Sequence, residues 1–111
     1  MGTRSLTNFI DNDGKGFCTI YRQMDGYPRC HGADLKKILG EKQLVNGYND
    51  ASTQINGVHS AAAMTIAGLA DPDFTGDIYI YSPESTDMGE EWTYNIFPMN
   101  EELYLLCEHG D

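Results

Sequence analysis

The sequence predicts one small α+β domain over residues 1–111, with strands at both ends of the chain and two helices between them, in the order ββααβββ. Three observations support this fold class. Apolar runs flank an Asp13-Gly14 pair near the start, two segments with helical spacing follow, and three alternating segments occupy the last third of the chain. This pattern favours a mainly antiparallel sheet with both helices packed on one face.

The first two strands are predicted at residues 5–10 and 17–23. The Asp13-Gly14 dipeptide between them is typical of a type I′ turn that joins two antiparallel strands. The register set by this turn pairs, on one face, Ile10 with Phe17 and Leu6 with Tyr21, and on the other face Phe9 with Cys18, Thr7 with Ile20 and Ser5 with Arg22. The second face is therefore semipolar.

The middle of the chain is predicted to be helical in two places. Residues 24–32 are expected to form a loop, and residues 33–39 a short helix that ends at Gly40. Residues 41–57 are rich in Asn, Gly, Ser and Thr and are predicted as a second loop. Residues 58–69 follow as a central helix, whose alanines would allow close approach to the sheet.

The last third of the chain predicts three more strands. Residues 78–81 alternate like a strand, residues 82–91 form an acidic loop, and residues 92–97 and 103–108 form a hairpin around residues 98–102. A sheet of this kind leaves an edge strand exposed. Such an edge favours a homodimer.

The charges are divided between the two ends of the chain. All seven Lys and Arg residues lie in the first 42 positions beside five acids, a net charge of +2, whereas the remaining residues carry twelve acids and no Lys or Arg, a net charge of −12. The overall net charge of −10 disfavours direct binding to nucleic acid or to an anionic membrane. It suits a basic protein partner instead.

Other composition features favour a cytoplasmic protein. The longest weakly polar run, residues 61–70, is too short to cross a bilayer, and residues 1–10 lack the apolar core of a signal peptide. Cys18, Cys30 and Cys107 are odd in number and widely spaced, unlike a disulfide framework or a zinc site. We therefore expect no metal and no cofactor.

A polar cluster at the end of the second strand is the best candidate for a ligand site. A helix that starts near Gly32 would present free backbone N–H groups there, and the helix dipole favours a bound anion. Arginines can contact phosphate or carboxylate with two hydrogen bonds, and an aromatic ring can stack on a base. The predicted ligand-binding residues are Arg4, Arg22, Gln23, Asp25, Tyr27, Arg29, His31 and Gly32.

The same residues also have a purely structural interpretation. Asp34 would lie in the first turn of the helix and could satisfy the free N–H groups itself. The arginines could form salt bridges to the acidic half of the chain and hold the fold together. The sequence alone leaves both interpretations open.

The acidic half suggests a second kind of site. Acidic loops that surround exposed aromatic residues would suit a surface that occupies a basic groove on another protein. The residues predicted to contact such a partner are Asp87, Glu90, Glu91 and Trp92. Solvated acidic loops around an aromatic core are the alternative interpretation.

Evidence for catalysis is weak. Cys30 and His31 are adjacent, so in an extended segment their side chains would point apart, whereas a nucleophile and its base must converge. No spacing among His31, His59 and His109 indicates a metal site. A small hydrolase is therefore the third-ranked function.

Parts of the first third resemble a known group of proteins. The segments Gly2-Thr3-Arg4-Ser5-Leu6-Thr7, Tyr21-Arg22-Gln23, Asp25-Gly26-Tyr27-Pro28 and His31-Gly32 are similar to segments of small uncharacterised proteins encoded by phages, prophages and bacteria. The resemblance covers about the first 35 residues and implies no catalytic residue. It implies a viral or mobile-element setting, in which small acidic proteins sequester something that the host uses for defence.

These observations predict a small cytosolic binding protein, located in the host cytoplasm if it is viral. It would sequester an anionic, nucleotide-like small molecule at Arg4 and residues 22–32 as an anti-defence protein. The alternative is an acidic inhibitor that occupies the basic nucleic-acid-binding groove of a host defence protein. A small hydrolase is the second alternative.

Overall fold

A computed structural model describes residues 3–23, 26–40, 57–70, 78–83, 90–99 and 102–109, together with the backbone of Gln43–Val45 and Gln54–Asn56. The strands are β1 (Ser5–Ile10), β2 (Gly16–Arg22), β3 (Gln43–Val45), β4 (Gln54–Asn56), β5 (Ile78–Tyr81), β6 (Trp92–Met99) and β7 (Glu102–His109). The helices are α1 (Ala33–Leu39) and α2 (Gly57–Leu69), and a π-helical turn, Pro28–Gly32, leads directly into α1. The predicted α+β class is confirmed.

The main sheet has five strands in the order β5-β2-β1-β6-β7. The β1–β2 and β6–β7 pairs are antiparallel, as predicted, and β2 and β5 also pair antiparallel, but the central strands β1 and β6 run parallel. Sequence reasoning did not predict this central pair, because a parallel pairing between distant segments leaves no local turn signal. The sheet is therefore mixed rather than antiparallel throughout.

The first hairpin differs from its prediction at the turn. The Gly14 N–H donates to the Asp11 carbonyl at 2.9 Å, the Asp11 N–H donates to the Lys15 carbonyl at 2.8 Å, and Gly14 has a φ of 83°. This geometry is a three-residue loop that ends in a left-handed glycine, rather than a two-residue type I′ turn. The pairs from Ser5 with Arg22 to Phe9 with Cys18 are confirmed, whereas Ile10 lies opposite Gly16 and the predicted Ile10–Phe17 pair is wrong.

The register shift redirects the Phe17 side chain. Its ring stacks on His59 of α2, with 3.8 Å between ring centroids and 19° between ring planes. Phe17 also lies 6.4 Å from the ring of Phe9 and packs against the core. The bulge thus supplies an additional contact between the hairpin and α2.

The core lies between one face of the sheet and the two helices. Gly68 of α2 permits close packing of the helices, because a Cβ there would come within 2.6 Å of Ile38 Cδ1. Thr65, also on α2, is buried and donates its hydroxyl proton to the Ala61 carbonyl at 2.8 Å. The buried apolar cluster comprises Phe9, Ile20, Leu35, Leu39, Val58, Ala61, Ala62, Tyr94 and Ile96.

Two predicted loops contain regular structure. Residues 24–32 were predicted to be a loop, but Pro28 starts a helical turn there, as its fixed φ favours. Within the predicted loop 41–57, β3 and β4 form a short parallel pair; residues 46–53 lie outside the described part of the chain. The acidic loop 82–91 is described only at residues 82–83 and 90–91.

The last hairpin is longer than predicted. Its strands pair from Trp92 with His109 to Met99 with Glu102, so Pro98 lies within β6 opposite Leu103. β6 pairs with β1 only as far as Ile96. Among the described strands, Pro98 therefore lies next to β7 alone. Its missing N–H removes no hydrogen bond between β6 and β1.

Candidate functional site

One end of the main sheet brings together most of the predicted site residues. β1 and β6 begin there and β2 ends there, so that Ser5 lies between Arg22 on one side and Trp92 on the other. Gly26 crosses this end and donates its N–H to the Thr3 carbonyl at 2.9 Å. We call this region, which contains Arg4, Arg22, residues 26–34 and residues 90–92, the arginine end.

Arg22 is directed into the protein. It is 7% exposed, and its Nη1 atom lies 2.9 Å from Asp34 Oδ2 and 3.1 Å from His31 Nδ1. The ion pair joins β2 to the first turn of α1. Arg22 thus pairs with an acid, as the structural interpretation required, but that acid belongs to the first half of the chain.

His31 is buried next to this ion pair. Its Nε2 atom lies 2.6 Å from Thr7 Oγ1, and its Nδ1 atom faces Arg22. Because a guanidinium can only donate, Nδ1 must accept, which places the proton of a neutral imidazole on Nε2 and directs it to Thr7. Burial and the neighbouring Arg22 charge lower the pKa of His31 to about 4, against an opposing effect of Asp34.

Tyr94 of β6 completes the buried surroundings of His31. The two rings meet edge to face with centroids 4.8 Å apart, and the Tyr94 hydroxyl donates to the Gly26 carbonyl at 2.6 Å. Burial raises the pKa of the Tyr94 phenol, so this group keeps its proton. We refer to Thr7, Arg22, His31, Asp34 and Tyr94 as the His31 network.

The backbone N–H groups of the π-helical turn, where an anion was predicted to bind, already have acceptors within the protein. The N–H groups of Cys30, His31 and Gly32 all point to the Tyr27 carbonyl, at 2.9, 2.8 and 3.3 Å. The Ala33 N–H also donates within the turn. The expectation of free N–H groups near Gly32 is therefore wrong, because helical structure begins at Pro28, five residues before the predicted helix start at residue 33.

Two predicted ligand residues remain on the surface of the turn. The guanidinium carbon of Arg29 lies 5.1 Å from the centre of the Tyr27 ring, and Tyr27 is 36% exposed. This is a cation–π contact at an exposed position. We call the pair the Tyr27–Arg29 platform.

Arg4 lies beside the same turn. Its side chain is exposed, and a Cβ added to Gly26 would come within 3.1 Å of the Arg4 carbonyl carbon. Since Gly26 precedes Tyr27 directly, the backbone of Arg4 adjoins the platform. The exposed cationic and aromatic residues of the arginine end are thus Arg4, Tyr27 and Arg29.

The remaining predicted ligand residues have other surroundings. The Gln23 side chain accepts a hydrogen bond from the Tyr21 hydroxyl at 2.9 Å. Gly32 is buried beside Tyr94, where an added Cβ would lie 3.5 Å from the ring. Asp25 lies outside the described residues.

The residues predicted to contact a protein partner begin at the same end. The N–H groups of Glu91 and Trp92 both point to the Arg4 carbonyl, at 2.9 and 3.3 Å, and Glu91 is exposed. The Trp92 ring is half-buried and lies 4.4 Å from the His109 ring. Glu90 adjoins them, and Asp87 lies outside the described residues. The two predicted surfaces therefore meet at Arg4.

The structure offers no support for His31 as the base of a Cys30 nucleophile. The imidazole is fully buried, and both of its nitrogen atoms already face protein partners. Its lowered pKa also makes it a weak base at neutral pH. Within the described part of the chain, no group of three or more His, Cys, Asp or Glu residues is placed to hold a metal ion.

Sequence reasoning missed three members of the His31 network: Thr7, Asp34 as a partner of Arg22, and Tyr94. The semipolar face of the first hairpin contained a signal, because Thr7 lies between Ser5 and Phe9 on the face that packs against the helices. A polar residue at a core position indicates a buried hydrogen-bond partner. The identity of that partner depended on the unpredicted helical turn.

No protein-family model, curated protein or solved structure matches this chain. The resemblance to small phage and prophage proteins thus remains a prediction. Neither helix among the described residues has both the length and the apolar character needed to cross a bilayer.

Proposed function

We propose that this protein is a small binding protein that sequesters an anionic, nucleotide-like molecule at the arginine end. The observation that carries the proposal is the Tyr27–Arg29 platform, in which a cation lies over a partly exposed ring beside the exposed Arg4. A planar base could stack on this platform, since aromatic rings and guanidinium groups both offer flat surfaces to bases. Arg4 and Arg29 would supply charge-assisted contacts to phosphate.

The net charge of the first 42 residues favours binding of an anion, whereas the net charge of the whole chain does not. The first 42 residues have a net charge of +2, although the whole chain has a net charge of −10. Arg22 is neutralised by Asp34, so the exposed cations near the turn are Arg4 and Arg29 among the described residues. A ligand with one or two phosphates matches two exposed guanidinium groups.

The His31 network would hold the platform in position. His31 fixes the turn to β1 through Thr7, and Tyr94 fixes it to β6 through the Gly26 carbonyl. A turn held from two strands loses little conformational freedom when a ligand binds. In this proposal the buried residues predicted as ligand contacts, Arg22 and His31, act as supports of the site.

The proposal is tested by measuring nucleotide binding with a thermal-shift panel and by calorimetry. A binding ligand raises the melting temperature because it binds only the folded state. Tyr27→Ala and Arg29→Ala should each weaken binding by about 5- to 150-fold, the range that corresponds to one lost base stack. Arg4→Ala should weaken the binding of phosphate-containing ligands more than the binding of the matching nucleosides.

Lys37→Ala is the matched control, because Lys37 is also an exposed cation but lies on α1. It should leave binding unchanged. The proposal fails if no nucleotide stabilises the protein, or if Lys37→Ala weakens binding as much as Arg29→Ala does.

The acidic-inhibitor function is the second candidate, supported by the exposed Glu91 beside Trp92 at the start of β6. Such a protein would capture a basic nucleic-acid-binding protein in a salt-sensitive way. The double variant Glu90→Lys/Glu91→Lys should abolish capture, whereas Glu108→Lys, an exposed charge on β7, should not. Capture that survives the double variant would contradict this function.

The anti-defence role belongs to the same proposal. Its support is the resemblance of the first third to small phage and prophage proteins, and sequestering a nucleotide signal fits a small non-catalytic chain. Expression of the protein in bacteria that carry a nucleotide-signalling defence system should restore phage growth. The Tyr27→Ala variant should not restore it.

A further inference from the structure

We infer that the face of the main sheet opposite the helices binds a proline-rich segment of another protein, with a Lys or Arg residue at the end that lies over β7. This inference is independent of the nucleotide-like ligand. Phe9, Ile20 and Ile96 point into the core between the sheet and the helices, so the residues that alternate with them lie on the opposite face, which we call the open face. The chain itself has only four widely separated prolines, so the bound segment belongs to another protein.

A row of uncharged side chains crosses the open face from β5 to β7. The strand registers place one residue of each strand side by side in the order Tyr81, Thr19, Asn8, Asn95 and Leu106. Because neighbouring strands lie about 4.8 Å apart, this row is roughly 19 Å long. A polyproline II helix rises about 3.1 Å per residue, so the row matches a segment of about six residues.

Side-chain hydrogen bonds orient the polar groups in the middle of this row. The Thr19 hydroxyl donates to Asn8 Oδ1 at 2.8 Å, and Asn8 Nδ2 donates to Asn95 Oδ1 at 3.0 Å. Asn95 is half-buried, and its own amide N–H groups have no acceptor among the described residues. The row therefore offers oriented donors to a ligand. A proline-rich segment complements them, because its carbonyl groups accept and its prolines have no N–H.

Larger side chains border the short Thr19, Asn8 and Asn95 side chains on both sides. On one side the rings of Tyr21 and Tyr79 lie 5.8 Å apart, and on the other side the rings of Phe97 and Tyr104 are stacked with 5.9 Å between centroids. Tyr79 is 47% exposed, so its ring is accessible to a ligand. A shallow channel with aromatic borders is the kind of surface on which proline rings pack in known peptide recognition.

The charges of the open face indicate a basic residue at one end of the segment. Among the described strand residues on this face, the charged ones are Glu102 and Glu108, and both are exposed on β7. The opposite end of the row, at Tyr79 and Tyr81, carries no charge. A Lys or Arg side chain beyond the last proline would lie near Leu106 between the two acids. An uncharged glycan would gain nothing from these carboxylates, and nucleic acid would be repelled by them.

The test uses three synthetic eight-residue peptides and the full chain labelled with ¹⁵N. PPPPPPRR combines a polyproline II helix with a basic end, PPPPPPEE reverses the end charge, and GSGSGSRR keeps the charge on a flexible chain. PPPPPPRR should shift the side-chain amide resonances of Asn8 and Asn95. The other two peptides should bind at least about tenfold more weakly at low salt, because one is repelled by the acids of β7 and the other loses more conformational freedom on binding.

Two neighbouring residues of β5 form a matched pair of variants, because both are exposed but only Tyr81 lies on the open face. Tyr81→Ala should weaken binding of PPPPPPRR by about 2- to 13-fold, which corresponds to one lost aromatic contact. Ile80→Ala should leave binding unchanged. Thermal melts should confirm that both variants fold.

Two further measurements test the donors and the direction of the peptide. Asn95→Leu keeps the shape of the side chain but removes its N–H groups, and it should weaken binding by about 2- to 13-fold, the range for one hydrogen bond. A nitroxide label attached after the arginines of PPPPPPRR should broaden the amide resonances of β7 more than those of β5.

Several results would overturn the inference. Equal binding of PPPPPPRR and GSGSGSRR would show that charge alone attracts the peptide. Equal effects of Tyr81→Ala and Ile80→Ala, or stronger broadening on β5 than on β7, would place the peptide elsewhere or in the wrong direction. Absence of binding would also overturn it, as would resonance shifts on the open face with the uncharged glycan cellohexaose but not with PPPPPPRR.

Discussion

The Nη1 atom of Arg22 lies 3.1 Å from Nδ1 of His31, and both side chains are buried next to β1. A guanidinium and a protonated imidazole repel each other, so this contact is stable only while His31 is neutral. Sequence reasoning assigned this pair to an anion site, but the structure buries both side chains. Because the contact requires a neutral His31, the stability of the fold depends on pH.

The first prediction concerns this pH dependence. The pKa of His31 is lowered from 6.5 to about 4 in the folded protein, so between these values the unfolded chain binds a proton that the folded chain does not. Stability is therefore fully present above pH 6.5 and falls as the pH decreases towards 4. The loss should reach at most about 3 kcal/mol, because one pKa unit corresponds to 1.36 kcal/mol.

Urea unfolding at several pH values between 7.5 and 4 measures this dependence, with His31→Gln as the comparison. The variant lacks the titrating group, so the difference between the two proteins removes the effect of the other charges. If the free energy of unfolding changes with pH equally in the natural chain and in His31→Gln, then His31 is not the group responsible for the pH dependence.

The second prediction concerns Thr7. Thr7→Val keeps the shape of the side chain but removes the acceptor for the His31 Nε2 proton, which lies 2.6 Å away in the natural chain. A buried donor left without a partner costs about 1–3 kcal/mol, and the unfolding free energy should fall by that amount. Thr7→Ser retains the hydroxyl and should cost less. Equal losses in the two variants would show that the hydrogen bond to His31 contributes nothing.

Local signals in the sequence predicted most elements of this fold. The first hairpin, α1, α2 and β5 each lie at or near their predicted boundaries, because turn residues and hydrophobic spacing specify them locally. The parallel β1–β6 pair, which brings Ser5 beside Trp92, depends on chain segments far apart in sequence. That pairing is also what brings Glu91 to Arg4, so the meeting of the two predicted surfaces was beyond local reasoning.

The candidate site was predictable in composition but not in geometry. The sequence identified Arg22, Arg29 and His31 as one cluster, yet it could not show which of them face solvent. The π-helical turn decides this, since it directs His31 to Thr7 and leaves Arg29 on Tyr27. Three amides that share one carbonyl acceptor have no distinctive sequence pattern.

The third prediction concerns the close approach of Gly26 to β1. A Cβ at this position would lie 2.8 Å from both Ser5 Cβ and the Thr3 carbonyl oxygen, and the latter is backbone that cannot move aside. Gly26→Ala should therefore destabilise the fold by about 1–3 kcal/mol, as overpacking usually does. It should also weaken ligand binding at the adjacent platform.

Gly16→Ala is the matched control for this variant. A Cβ at Gly16 would make only an ordinary contact, 3.5 Å from Pro83 Cβ, and its φ is not positive. Its melting temperature should stay close to that of the natural chain. If Gly26→Ala melts at the same temperature as Gly16→Ala, then the turn does not pack against β1 as described.

The last prediction concerns Asp34, which balances the charge of Arg22 at 2.9 Å and whose carboxylate is partly exposed. Asp34→Asn should reduce stability at neutral pH by about 1 kcal/mol, because a hydrogen bond to a charged group is lost while solvent still reaches the site. The change also removes the one effect that raises the pKa of His31. The pKa of His31 should therefore fall further, and the loss of stability on acidification should continue to lower pH than in the natural chain.

NMR titration of the His31 ring measures the change in pKa, and urea unfolding measures the change in stability. Asp13→Asn, an exposed acid in the turn of the first hairpin, is the control and should leave the titration of His31 unchanged. If the pKa of His31 rises in Asp34→Asn, then the Asp34 carboxylate does not raise it in the natural chain, contrary to the geometry of the His31 network.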